Sequence, residues 1–120
     1  MKNILLVLFL FFCHFAQAQV NVAGVNINDL EDVNYVRVEV SPRLILNRTD
    51  VSVDYGQERG SFFLRQVISD NNGNIIEFRS NVQVINFMDN NGWDYVNEQV
   101  IRAEESYNIY HYLFKKETTN

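Results

Sequence analysis

The sequence predicts an α+β fold, an antiparallel sheet of about five to six strands with one helix packed on one face, in the order β-β-β-β-α-β-β. Three observations predict it. Short segments of strict apolar–polar alternation recur along the chain. An Asn-Gly pair lies between two apolar runs, and one segment of helical spacing lies between a serine and a glycine. With 120 residues, 47% of them apolar and 21% charged, the chain has the balance of one globular domain.

The amino terminus comes first. Lys2 supplies a positive charge, Ile4 to Phe15 is apolar apart from His14, and Ala16-Gln17-Ala18 offers small residues for a signal peptidase. The run of about a dozen residues is short of the roughly 20 that span a bilayer. Residues 1–18 therefore read as a cleaved secretory signal with Gln19 as the new terminus, the alternative being an uncleaved anchor. Leu10-Phe11-Phe12 before Cys13 is too bulky for a lipoprotein signal. The expected location is the periplasm or the exterior.

The processed chain has no cysteine, a single histidine (His111), and nine Lys or Arg against fifteen Asp or Glu, a net charge of −6. A core without disulfides must then suffice, and a structural zinc site has no ligand set. The acidic balance argues against nucleic acid, which needs a basic face, and against anionic membrane surfaces. No phosphate-cradling glycine loop or dinucleotide fingerprint occurs, so no cofactor is expected.

Residues 19–34 are polar and weakly patterned, and are expected to be loosely structured apart from one helical turn at 28–32. The domain proper is expected over 35–117. Tyr35 to Val40 alternates with its valines on one face, and Ser41-Pro42 is expected to end that strand. Val51 to Tyr55 alternates again and Gly56 closes it. Phe62 to Ser69 and Ile75 to Arg79 flank Asn72-Gly73, which predicts a two-residue hairpin turn with Val67 across from Phe78 and Ser69 across from Ile76. Ser80 is placed to cap a helix over 81–91, with Val82, Ile85 and Met88 at helical spacing and Gly92 at the left-handed cap position. Trp93 to Arg102 and Tyr107 to Lys116 form a final hairpin around residues 103–106.

The segment from Val84 to Lys116 carries a recognisable pattern. A helix ends at Asn91-Gly92-Trp93, a strand continues through Asp94-Tyr95-Val96, and a later strand closes on Leu113-Phe114-Lys115-Lys116. This resembles small exported Bacteroidetes proteins of unknown function, in which a helix leads into a Gly-Trp-Glu-Leu-Val strand and a second strand ends in Phe-Lys-Arg. Asp94 and Tyr95 stand where that pattern has Glu and Leu. The resemblance implies a structural cap and packing anchor, with no catalytic residues.

The final hairpin carries the functional expectation. Closing it with Arg102 opposite Tyr107 puts Val96, Glu98, Val100, Ile109, His111 and Leu113 on one face, expected to be the helix-covered one. Trp93, Tyr95, Asn97, Gln99, Tyr110 and Tyr112 would share the other face with Phe114. Rigid aromatics among amide side chains make a recognition platform, so these six are the candidate binding residues. The alternative is that the stripe is packed against the rest of the chain or a second copy. Glu98 opposite His111 would be the single histidine–carboxylate pair, either an acid–base pair or a cross-strand contact. Asp54, Glu58 and Glu77 could supply a glycosidase pair, though fifteen acidic residues produce such pairs by chance.

The expectation is an exported binding module whose partner is an envelope protein, itself as a homodimer, or a glycan, met through the aromatic–polar face or a sheet edge. The other reading is a small carboxylate-dependent hydrolase acting on envelope glycans.

Overall fold

A computed structural model describes residues 18–43, 46–58, 66–104 and 107–118. The segment up to residue 17, expected to belong to a secretory signal, the Phe62–Arg65 stretch expected to begin a strand, and Glu105-Ser106 of the final loop lie outside the described residues. The chain is α+β, with two antiparallel sheets and one α-helix among the described residues. The elements are β1 (Asn21–Val22), β2 (Val25–Asn26), a 3-10 turn (Ile27–Asp29), β3 (Tyr35–Arg43), β4 (Arg48–Asp54), β5 (Ile68–Ser69), α1 (Asn81–Asn90), β6 (Trp93–Glu104) and β7 (Tyr107–Lys116).

The larger sheet has the order β4-β3-β7-β6. Val36, Val38 and Val40 face the core because a strand sends alternate side chains to one side. Val38 lies opposite Val53 and Tyr112, and Val36 opposite Phe114, so each core residue meets another across the ladder. The reverse side of β3 carries Tyr35, Arg37 and Glu39. There Arg37 pairs with Asp54 at 2.9 Å, and Arg43 pairs with Asp50 at 2.9 Å.

Where a single sheet of five to six strands was expected, a second, three-stranded sheet of order β2-β1-β5 forms instead. The amino-terminal segment, expected to be loose, supplies two of its strands. Ala23 and Gly24 both have positive φ (50° and 83°), which closes β1 on β2 with two turn residues. β1 then pairs with β5 through Val22 opposite Ile68. Val20, Val22 and Ile27 are fully buried in the shared core. Burial of those three side chains outweighs the weak local pattern that made the segment read as a tail, each contributing about 1.5–3 kcal/mol.

β3 runs past its expected end at Ser41-Pro42 to Arg43. Pro42 is tolerated because β7 leaves β3 after Val40, and the amide of its partner Thr49 points away, donating to Phe78 O at 3.0 Å. A strand position paired on one side only has no need of the missing N–H.

The hairpin at Asn72-Gly73 also differs from expectation. Ser69 pairs with Ile75 rather than Ile76, and among residues 70–74 only Gly73 has positive φ. Gly73 N–H donates to Asp70 O at 3.1 Å and Asp70 N–H to Asn74 O at 2.8 Å, a three-residue loop with glycine at its left-handed position. Asp70 selects that loop. Its carboxylate accepts the backbone N–H groups of Asn72 and Asn74, each at 2.9 Å. The Asn74 amide is the main cause that holds this carboxyl below its ordinary range.

α1 forms as expected at its ends. Ser80 accepts from Gln83 N–H, and the Gln83 side chain reaches back to Arg79 N–H. Gly92 follows with φ 84°. The buried face differs: Val84 and Met88 are in the core with Ile85 and Phe87 beside them, while Val82 is exposed. Met88 and Ile85 of the expected row do face the core, but Val84 takes the place expected for Val82.

Asn28 joins the layers. Its Oδ1 accepts Val20 N–H at 2.9 Å and Trp93 Nε1–H at 3.3 Å, and its Nδ2 donates to Asn91 O at 2.7 Å. One amide thus serves the amino-terminal segment, the helix end and the buried tryptophan. Asn28→Ala leaves those three groups without a partner and should lower unfolding stability by about 2 kcal/mol or more in urea denaturation. A loss under half that size would show that the node is dispensable.

Candidate functional site

The β6–β7 hairpin was expected to hold one register along its length. It holds that register only at its base, where Trp93 pairs with Lys116, Asp94 with Lys115 and Tyr95 with Phe114. Between Tyr95 and Asn97 the register shifts, leaving Val96 as an extra residue. From there Asn97 meets Leu113, Glu98 meets Tyr112, Gln99 meets His111, Val100 meets Tyr110 and Ile101 meets Ile109. A second shift at Ala103 puts Glu104 opposite Tyr107. One inserted residue moves every following side chain to the other face.

The six candidate binding residues therefore divide. Trp93, Tyr110 and Tyr112 lie on the core side of the sheet, which is the side α1 and the small sheet cover. Trp93 is fully buried, Tyr112 nearly so, and Tyr110 is half-buried against them. Tyr95 shares their face but is 47% exposed. Asn97 and Gln99, displaced by the bulge, are exposed on the opposite face with Ile109, His111 and Leu113. The structure thus brings the aromatics together and sets the two amides apart from them.

The aromatics form a ladder in the sheet. Tyr110 stacks on Tyr112 at 6.2 Å between centroids and 6° between planes, and Tyr112 lies 6.5 Å from Phe114. Tyr95 packs beside it, 6.2 Å from both Tyr112 and Phe114. Trp93 closes the base, with Lys116 Nζ over its ring at 5.4 Å while that ammonium donates to Leu30 O at 2.6 Å. Tyr112 OH accepts from Asn81 Nδ2 at 3.0 Å, which fixes the start of α1 above the ladder.

Glu98, expected opposite His111, sits opposite Tyr112. His111 instead meets Glu39 of β3, directly opposed and 3.5 Å away. That pair is a cross-strand contact on the outer face, in a row with Ser52 of β4 opposite Glu39 and Gln99 of β6 opposite His111. Of the carboxylates weighed as a glycosidase pair, Asp54 is engaged by Arg37, and Glu58 and Glu77 are exposed. Among the described residues no group of three or more His, Cys, Asp or Glu could hold a metal ion. In a cleft of about 330 Å³ beside Asn21, Asp70 and Asn71, the Asn21 amide donates to Asn71 Oδ1 and Gly73 N–H to Asp70 O.

The sequence reading allowed contact at a sheet edge but left open which strand forms it. The outer side of β4 is partly covered, since Thr49 N–H donates to Phe78 O and Val53 N–H to Gln66 O. β6 is the other edge, twelve residues long, and among the described residues nothing pairs with its outer side. Val96, Val100 and Ile101 on it are 45%, 50% and 39% exposed. β6 has twelve residues against ten in β7, the two extra being Val96 and Ala103, and the sequence, which reads as ten residues on each strand, carries no sign of them.

No family model, curated protein or solved structure matches this chain. Among the described residues no helix is long and apolar enough to cross a membrane.

Two outcomes separate core from surface here. Trp93→Ala should cost about 3–5 kcal/mol in chemical denaturation, whereas Tyr95→Ala should cost about 1 kcal/mol or less. Comparable losses would contradict the facing described above.

The second outcome concerns alkaline pH. Burial raises the Tyr112 phenol above its ordinary 10.0, with the charge of Glu98 adding to it and the Asn81 hydrogen bond opposing it. An acid raised in the folded state stabilises fully below its unfolded value and loses that contribution as pH rises through the folded one. Stability should therefore fall above about pH 10, and Tyr112→Phe should flatten the fall in melts across that range. Equal slopes in both proteins would show that another group is responsible.

Proposed function

We propose that this chain is an exported small binding module that meets its partner at a sheet edge, with β6 as the contact strand. The observation that carries the reading is the outer side of β6, open among the described residues, beside a partly covered β4. An unpaired strand presents a row of N–H and C=O groups that an extended partner can complete, with side chains on both faces available for selection. Tyr95, Val100 and Glu98 offer an aromatic, an apolar and a charged contact on the core side. Asn97, Gln99 and Ile101 offer amides and one apolar side chain on the other.

Of the platform first read from the sequence, Tyr95, Asn97 and Gln99 lie exposed along this strand, while Trp93 and Tyr112 support it from the core. The partner is an envelope protein or a second copy, or a glycan taken by the exposed amides and Tyr95. The lysine-led apolar start and Ala16-Gln17-Ala18 support export to the periplasm or beyond. Asp54, held by Arg37, lends no support to a hydrolase.

The test is capture from an envelope fraction by residues 19–120, with Val100→Lys and Ile101→Lys compared against wild type. Both positions are well exposed, so melting should change by about 1 kcal/mol or less. Capture should fall about tenfold or more as charge is placed where a strand must dock. Undiminished capture by both variants would refute the edge reading.

A further inference from the structure

We infer that the partner of the β6 edge is a second copy of this chain, joined antiparallel with Val100 on the two-fold axis. The inference rests on the edge reading above and names its occupant.

Three constraints select the register. The bulges at Val96 and Ala103 bracket a regular stretch from Asn97 to Arg102, and only there does β6 keep an unbroken ladder that a straight strand can match. An antiparallel edge joining two identical strands has its two-fold axis perpendicular to the sheet, so each axis position places a residue opposite itself. Charge then discriminates among the positions in the window. Glu98 or Arg102 on the axis meets its own like charge. Gln99 on the axis sets Glu98 against Val100, and Ile101 on the axis sets Arg102 against Val100. With Val100 on the axis, Glu98 faces Arg102 of the second copy, and the symmetry makes that pair twice.

The same register suits the faces. Glu98, Val100 and Arg102 lie together on the core side of the sheet, opposite Tyr112, Tyr110 and Asn108. Val100 meets its copy between two ion pairs, and Tyr110 flanks it from β7 on each side. Gln99 meets Ile101 on the outer face. Among the described residues neither Glu98 nor Arg102 forms an ion pair within its own chain, and both are exposed. The product is a continuous eight-stranded sheet in which β6 is no longer an edge. Five paired residues a side make a small interface, so the dissociation constant should lie in the micromolar range or weaker.

The experiment uses residues 19–120 in light scattering across a roughly hundredfold dilution, with melting curves as the fold control. Glu98→Arg and Arg102→Glu should each weaken self-association by about tenfold or more, because each turns two attractive pairs into two repulsive ones. Mixed together, the two variants should form a heterodimer, since each then meets opposite charge. Val100→Cys should cross-link to its own copy under oxidation, in a processed chain with no other cysteine. Directly opposed strand residues lie about 4.5–5.5 Å apart, within the span of a disulfide. Asn97→Cys, about 20 Å from its copy in this register, should not cross-link.

A monomer at every concentration would overturn the inference, and the envelope capture by wild type and Val100→Lys then decides the edge reading separately. A dimer indifferent to both charge reversals, or one that cross-links at position 97 and not 100, would overturn it by placing self-association elsewhere.

Discussion

Trp93 occupies the point where four parts of the chain converge, and its burial organises them. Its ring is fully enclosed at the first residue of β6, directly after the left-handed turn at Gly92 that ends α1. The indole N–H is satisfied by Asn28, whose other contacts hold Val20 and the helix end. Lys116 covers the ring from the end of β7 while bonding Leu30. A buried indole requires both a hydrogen-bond partner and close packing, and each comes from a different element. Even Gly92 is constrained here, since a Cβ at that position would lie 3.4 Å from Ala18 Cβ. The amino-terminal segment is therefore part of the core.

From that base the β6–β7 hairpin extends with one consequential irregularity. The bulge at Val96 lets the base keep Trp93 and Tyr95 on the core face while returning Glu98 and Val100 to that same face. Without it, Asn97 and Gln99 would turn toward the aromatic ladder, and Glu98 and Val100 would turn away from it. The bulge thus decides which side chains the exposed strand presents above the tyrosines, and with the shift at Ala103 it limits the regular edge to six residues. Bulges on an edge strand oppose indiscriminate pairing, so a short regular window favours one register over many.

Much of the architecture was legible in local pattern. The alternation of Tyr35 to Val40 and Val51 to Tyr55, the Ser80 cap and Gly92 stop of the helix, and the final pair of strands are all readable from spacing and cap chemistry. The small sheet was less legible because each of its strands has only two residues, too few for a period to show. The Asn72-Gly73 turn misled because Asp70, two residues earlier, captures the amides of Asn72 and Asn74 and selects a longer loop. The candidate site was legible as a segment and illegible as a surface, because a single extra residue reverses the facing of everything after it.

What the sequence alone determined was the inventory: a lysine-led apolar start, an acidic balance, a single cysteine at position 13, strands and a helix in their order, and an aromatic-rich final hairpin. These follow from composition and short-range periodicity, which each segment carries by itself. Tertiary structure alone decided that Val20, Val22 and Ile27 enter the core, that His111 meets Glu39 rather than Glu98, and that, among the described residues, β6 is an open edge while β4 is partly covered. Each of these depends on which segments lie side by side. That choice is made by the total apolar surface and hydrogen bonding satisfied across the whole chain, which no local window contains.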